Sequence, residues 1–179
     1  TTEIYPLSLH DALPISMASS PARCAVMFTP PLKPPLPVRT VLSDLCVRHG
    51  NMIYVSGLPP FDAEYSARLR EARASKQPIP PFPDIPFERQ ARIVMDHLKK
   101  LVEAAGSNMD CLLKVIVWMK DQRQQEEFDR IYRTYFSSSA TLPARTRMQA
   151  GRTPMDCGLE VEAVGAPFGA TSQEPCRIN

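Results

Sequence analysis

The sequence predicts an α+β domain in which one sheet carries two helices on the same face. Three stretches support this. Leu112–Met119 (LLKVIVWM) is an almost unbroken apolar run of strand length. Phe87–Ala105 repeats Phe87, Ala91, Val94, Leu98, Leu101 or Val102, and Ala105 at spacings of three and four, the helical period. Pro143–Val164 alternates with period two on both sides of a turn-rich centre, so it reads as strand, turn, strand. The full order is strand, strand, helix, strand, helix, strand, strand. At 179 residues the chain suits one domain with a sizeable core, and an apolar fraction of 44% is that of a globular protein.

The N-terminal region divides by composition. Leu7–Ile15 (LSLHDALPI) is what a common short-read sequencing adapter yields when translated in one frame, and Met17 follows it. Residues 1–16 are therefore expected to be an assembly artefact, with Met17 as the native start. Residues 17–37 are rich in proline, alanine and serine and are expected to form a disordered arm. The run Pro30–Pro37 favours polyproline II and, followed by Arg39, has the form of a ligand for an SH3-type groove; an uncommitted arm is the plainer reading. Residues 38–166 are the folded domain. Residues 167–179 have no periodicity and are expected to be a disordered tail.

Inside the domain, Val38–Val47 is expected to be a strand, Arg48–Asn51 a hairpin-like turn and Met52–Ser56 a second strand. Ala63–Pro86 is charged first and proline-rich later, so its first part suits a short helix and its second part does not. It is either a tolerated surface insertion or a lid over a neighbouring site. Pro86 suits the first turn of the next helix, and Gly106 the residue beyond its end. His97, among Asp96, Lys99 and Lys100, reads as a surface or boundary histidine. The lack of polar alternation in Leu112–Met119 implies a strand covered on both faces. Two helices cover only one face, so the other calls for a partner subunit. Asp121, with Gln124 three residues on, suits a capping box for the second helix, whose buried stripe is Phe128, Ile131, Tyr132, Tyr135 and Phe136.

Composition excludes several classes. A formal net charge of +2, with no basic stripe and no interleaved aromatics, makes no case for nucleic acid or an anionic membrane. The five cysteines form no CxxC, and only three histidines exist, so no metal site is expected. With no secretory pattern and no apolar run of spanning length, a cytoplasmic protein is expected.

Several motifs resemble those of the RidA (YjgF) family of enamine/imine deaminases. Pro143-Ala144-Arg145-Thr146 is similar to its PAR(S/T) signature, and Leu159–Val164 (LEVEAV) to its closing strand, at the family's spacing. Gly50–Gly57 (GNMIYVSG), Gln90 and Glu103–Gly106 (EAAG) are further matches. The resemblance covers about Arg39–Ala166. It implies a chorismate mutase-like fold, two helices on one face of the sheet, and a homotrimer whose sheets face an internal barrel with ligand sites between subunits.

The activity it implies is hydrolysis of reactive 2-imino or 2-enamino acids to 2-oxo acids and ammonia, with no cofactor. By the same resemblance, Arg145 is the grip on the substrate carboxylate and Glu160 the group that positions or activates water. A planar guanidinium suits the first role, forming two parallel charge-assisted bonds. A carboxylate of suitable pKa suits the second. The backbone N–H near Gly57 would bind the other carboxylate oxygen, and Ser56 the substrate nitrogen or water. For a bare strand pair the plainer reading of Arg145 and Glu160 is a salt bridge. A plain hairpin would also set Arg145 against the far end of the second strand, so joining it to Glu160 requires irregular pairing or two subunits.

Three positions depart from the family pattern. Ser43 stands where a tyrosine is frequent, Arg147 where a cysteine is frequent, and Asp129 where an asparagine is often seen. Arg147 thus joins the expected substrate-binding set as a second cation. The substrate is then an ordinary 2-imino acid or a larger diacid such as an aminomuconate. The reading from a different class is a non-catalytic trimer that binds a small carboxylate.

Overall fold

The computed structural model describes residues 44–169. The expectations for residues 1–37, for the strand residues 38–43, for Ser43 and for the tail beyond 169 lie outside the described residues. Among them the order is β1 (Cys46–His49), β2 (Met52–Leu58), α1 (Ala63–Ala74), α2 (Phe87–Ala104), β3 (Leu112–Met119), α3 (Gln125–Arg133), β4 (Ala144–Gln149) and β5 (Leu159–Gly165). The sheet has five strands in the order β1-β2-β5-β3-β4. Strands β3 and β4 are parallel, and the other neighbouring pairs are antiparallel.

Two sequence expectations change here. The first hairpin turns on Gly50 and Asn51 alone, because Arg48 and His49 remain in β1 and His49 faces Met52. Gly50, at φ 56°, supplies the left-handed conformation that so tight a turn needs. More consequentially, β4 and β5 do not form a hairpin. β5 enters between β2 and β3, and β4 lies outside β3 as an edge strand. Residues 150–158 therefore cross over the end of β3 rather than folding β5 back along β4.

That connection is anchored from α2. The Gln90 side chain donates to the Ile85 carbonyl at 2.9 Å and accepts from the Gly158 N–H at 2.6 Å. The Lys120 N–H donates to the Gly158 carbonyl at 2.9 Å, and Lys120 Nζ to the Asp156 carbonyl at 3.0 Å. Within the connection, Thr153 and Cys157 are buried and the Thr153 hydroxyl donates to the Cys157 carbonyl. Burial pushes the Cys157 thiol up to about 11.

The core lies between the sheet and helices α2 and α3. Ala91, Val94, Met95, Leu98, Leu101 and Val102 line α2 in the expected helical period and are fully buried. They meet Ile53, Val55 and Leu58 of β2, Val115, Val117 and Met119 of β3, and Leu159, Val161 and Ala163 of β5. Pro86 sits at the N-cap of α2 rather than within its first turn, with φ −53° and ψ 144°. Helix α3 adds Phe128, Ile131 and Tyr132, but it ends at Arg133, so Tyr135 and Phe136 lie past it. Asp121 caps a short 3-10 turn over Gln122–Gln124, accepting from the Arg123 N–H at 2.9 Å. The expected capping box does not form, because α3 begins only at Gln125 and Gln124, as its N-cap, makes no side-chain bond.

The opposite face of the sheet is built from Tyr54, Lys114, Ile116, Trp118, Thr146, Met148, Glu160, Glu162 and Val164, as the strand registers require. In the single chain Tyr54 is 47% exposed and Met148 38%. The apolar continuity of Leu112–Met119 thus corresponds to one face under helices and one left open.

The first half of the Ala63–Pro86 insertion folds as α1, capped by Asp62, which accepts from the Tyr65 N–H at 2.9 Å. Its proline-rich second half is held by the Tyr65 hydroxyl, which donates to the Pro80 carbonyl at 2.8 Å, and by the ring of Phe82 edge-on to Tyr65 at 5.4 Å. The start of the expected tail is also tied down, since the Phe168 N–H donates to the Gly106 carbonyl at 2.9 Å.

Replacing Gln90 by alanine removes both hydrogen bonds of the clamp and leaves the Gly158 N–H and the Ile85 carbonyl without these partners. A loss of about 1–3 kcal/mol is expected, read as a lower urea midpoint at fixed protein concentration. An unchanged midpoint would show that the clamp contributes nothing.

Candidate active site

Arg145 and Arg147 are alternate residues of β4, so they share a face. Their register partners are Val115 and Val117, which point under the helices, so both arginines point toward α3. There Asp129 bridges them. Arg145 Nη2 lies 2.9 Å from Asp129 Oδ1, and Arg147 Nη1 lies 2.9 Å from Oδ1 and 3.0 Å from Oδ2. The Arg145 guanidinium also stands 4.7 Å over the ring of Tyr132, one helical turn beyond Asp129. The Tyr132 hydroxyl and Arg147 Nε are buried without a hydrogen-bond partner. Burial pushes the Tyr132 phenol above its ordinary range, against the pull of Arg145.

Glu160 is on the other side of the sheet. Its register partner is Trp118, and it alternates with Leu159 and Val161, which face the core. Its carboxylate lies against Gly57, where a Cβ would stand only 2.8 Å from Glu160 Cδ. Gly57 is free of side chain at the point where β2 bulges: the β2–β5 register shifts between Val55 and Leu58. Burial first, and then neighbouring Glu162, pushes the Glu160 carboxyl above the usual range. Ser56 is beside Gly57, but its hydroxyl already donates to the Asp44 carbonyl at 2.7 Å, leaving its oxygen only as an acceptor.

The residues singled out in the sequence therefore form two groups. Arg145 and Arg147 come together with Asp129 on the helix face. Glu160, Gly57 and Ser56 come together at the β2 bulge. Within one chain the two groups do not meet, because Arg145 and Glu160 are on opposite faces of one sheet. Tyr132 was legible only as a core residue. Its i, i+3 spacing from Asp129 is the signal that both would face the same neighbour.

Two depressions lie elsewhere on the surface, and neither is lined by a residue of these two groups. One of about 210 Å³ opens on the uncovered face beside Tyr54, Lys114, Ile116 and Glu162. The other, of about 860 Å³, runs between the insertion and the β4–β5 connection past Phe82, Gln90, Lys120, Arg152 and Asp156. Among the described residues no group of three His, Cys, Asp or Glu side chains is placed to hold a metal ion. No helix among them is long and apolar enough to cross a membrane.

An α+β sheet with this strand order, a bulged GNMIYVSG hairpin and an arginine edge strand defines a domain of the YjgF type. The family model described as Endoribonuclease L-PSP matches residues 36–166, and the chain belongs to that family, the RidA (YjgF) family. Its relatives include the 2-iminobutanoate/2-iminopropanoate deaminase of Escherichia coli, 30% identical over 116 residues that span 64% of this chain and 79% of that one. A RutC family protein of Pyrococcus horikoshii is 28% identical over 118 residues, 66% of this chain and 81% of that one. The solved structure of the E. coli YjgF gene product superposes with a TM-score of 0.58 at 27% identity, covering 73% of this chain and 92% of that one. E. coli TdcF with bound serine does so with a TM-score of 0.58 at 25% identity, covering 73% and 92%.

Replacing Gly57 by alanine forces Glu160 off its seat. A loss of about 1–3 kcal/mol is expected, and most of it should disappear when Glu160 is also alanine. Thermal or chemical denaturation of the double-mutant cycle reads this directly. Additive losses would mean that the two residues do not press on each other.

Proposed function

We propose that this protein hydrolyses short-lived 2-imino acids, in equilibrium with their enamines, to 2-oxo acids and ammonia. The observation that carries the reading is Glu160, a carboxylate half-buried against the bare backbone of Gly57 with its pKa raised by burial and by Glu162. Such a group is a better base than a solvated glutamate and sits where a small polar ligand can reach backbone. The relationship to the E. coli deaminase supports the same chemistry.

In this reading, Arg145 holds the substrate carboxylate and Arg147 lies beside it. Glu160 removes a proton from water as the oxygen bonds to C2 of the protonated imine and the C=N electron pair moves to nitrogen. The protonated Glu160 returns the proton to nitrogen. The C–N bond then breaks, ammonia leaves, and the hydroxyl passes its proton to the regenerated Glu160 carboxylate as the C=O forms. Every step is proton transfer and positioning, so no cofactor is required. Gly57 contributes its N–H to the carboxylate, and Ser56 its acceptor oxygen to the ammonium nitrogen or water.

Because Arg145 and Glu160 lie on opposite faces of one sheet, the proposed site is made by two copies, one supplying the arginines and the next supplying Glu160. The open face carrying Tyr54, Ile116 and Met148 supports a homotrimer built sheet to sheet.

The test is competition with semicarbazide for 2-iminopropanoate made in place by an amino-acid oxidase. Wild type is expected to suppress semicarbazone formation. Arg145→Ala and Glu160→Ala are each expected to lower kcat/KM at least about 100-fold, the scale of a lost charged hydrogen bond or general base. Saturable carboxylate binding with no turnover would replace this reading with a binding module.

The pH profile is a second check. The base form of Glu160 is lost as pH falls through its raised pKa, so the acid limb of kcat/KM should lie above that of an ordinary glutamate. Glu162→Gln removes one cause of that rise and should move the limb to lower pH. An acid limb that Glu162→Gln leaves in place would remove Glu160 from the role of base.

A further inference from the structure

The cluster on β4 and α3 contains two guanidiniums and one carboxylate, a formal charge of +1. Asp129 does not merely lie near the arginines. Its Oδ1 is shared by Arg145 Nη2 and Arg147 Nη1, each at 2.9 Å, and its Oδ2 takes a second contact from Arg147 at 3.0 Å. All three side chains are about three-quarters shielded, with exposures of 23%, 22% and 24%, so solvent screens their charges only partly. Arg147 Nε remains without a partner, and the Arg145 guanidinium carbon stands 4.7 Å from the centre of the Tyr132 ring.

From this we infer that Asp129 is a specificity residue that restricts the site to substrates with one carboxylate. One incoming carboxylate neutralises the residual +1. A second carboxylate on the same small substrate finds no unmatched cation and meets the negative Asp129 instead. Arg147, which in the bare sequence looks like an anchor for a diacid, is already matched by Asp129. Without the negative charge at 129 the cluster would carry +2, and the balance would turn to dicarboxylates. Asp129 acts through the arginines it holds, so it is a positioning residue.

The inference rests on the imine-deaminase reading for the identity of the substrate, but its charge arithmetic can be read without turnover. The experiment uses the full chain and measures two quantities. One is suppression of semicarbazone formation from 2-iminopropanoate against 2-iminosuccinate, generated by oxidases from alanine and aspartate. The other is calorimetric affinity for pyruvate against oxaloacetate. Wild type should prefer the monocarboxylate by about tenfold or more, the scale one partly screened unit charge sets at contact distance. Asp129→Asn, which keeps shape and changes only charge, should reverse the preference. The double variant Asp129→Asn/Arg147→Gln returns the cluster to +1 and should restore it, an outcome that a merely misfolded site cannot produce.

Equal handling of both substrates by wild type, an unchanged ratio in Asp129→Asn, or no restoration in the double variant would overturn the inference while leaving deaminase turnover intact. The expected switch in affinity with no turnover in any protein would uphold the charge count and sink the deaminase reading. Absence in wild type of both imine turnover and carboxylate binding would overturn both.

Discussion

Insertion of β5 between β2 and β3 is the constraint on which the rest of the structure depends. It makes β5 the central strand, with Leu159, Val161 and Ala163 buried beneath α2. It displaces β4 to the edge, where parallel pairing with β3 turns Arg145 and Arg147 toward α3. It also sets Glu160 on the far side, against the β2 bulge. Had β4 and β5 formed the hairpin that their spacing suggests, Arg145 and Glu160 would belong to one two-stranded ribbon. Gln90 holds the crossing segment at Gly158 and so stabilises the arrangement from outside the sheet.

Much of this was legible in the sequence. Helical period fixed α2 to within a residue at its C-terminus, and the unbroken run Leu112–Met119 is β3 residue for residue. Period two correctly grouped Arg145, Arg147 and Gln149, and separately Glu160 and Glu162. It could not relate the two groups, because alternation specifies which residues share a face and says nothing about which strand lies next door. Parallel pairing of β4 with β3 is decided by the crossing of 150–158 and by the burial that β5 gains in the centre, both of which are long-range. The missed capping box has a local cause: Asp121 is satisfied by its own neighbour Arg123 in a tight 3-10 turn, and the helix starts a turn later. The bridge between Asp129 and two arginines was invisible for a similar reason, since sequence separations of 16 and 18 carry no pairing code.

The insertion shows how a proline-rich segment can be ordered without regular structure. Its prolines cannot donate backbone hydrogen bonds, and the segment instead presents carbonyls and ring faces. Tyr65 meets both needs, donating to Pro80 and stacking edge-on with Phe61 and Phe82, at 5.0 and 5.4 Å. Asp62 adds an ion pair to Arg89 of α2 at 3.6 Å. The result is a small aromatic knot that extends the helical layer and walls one side of the groove over the β4–β5 connection. On the other side Arg152 and Asp156 of the connection pair with each other at 2.9 Å, so their charges are internally balanced.

Cys157 gives the crossing segment a chemical character of its own. Only the thiolate attacks alkylating reagents and disulfides, and this thiol is both enclosed and held protonated well past neutral pH. Its sulfur is engaged with the Leu159 carbonyl at 3.3 Å, at the very start of the central strand. Modification therefore has to wait for the segment to lift away from α2. The extent to which a maleimide reaches Cys157 then reports how often that segment opens, and the protein carries this reporter without any engineered label.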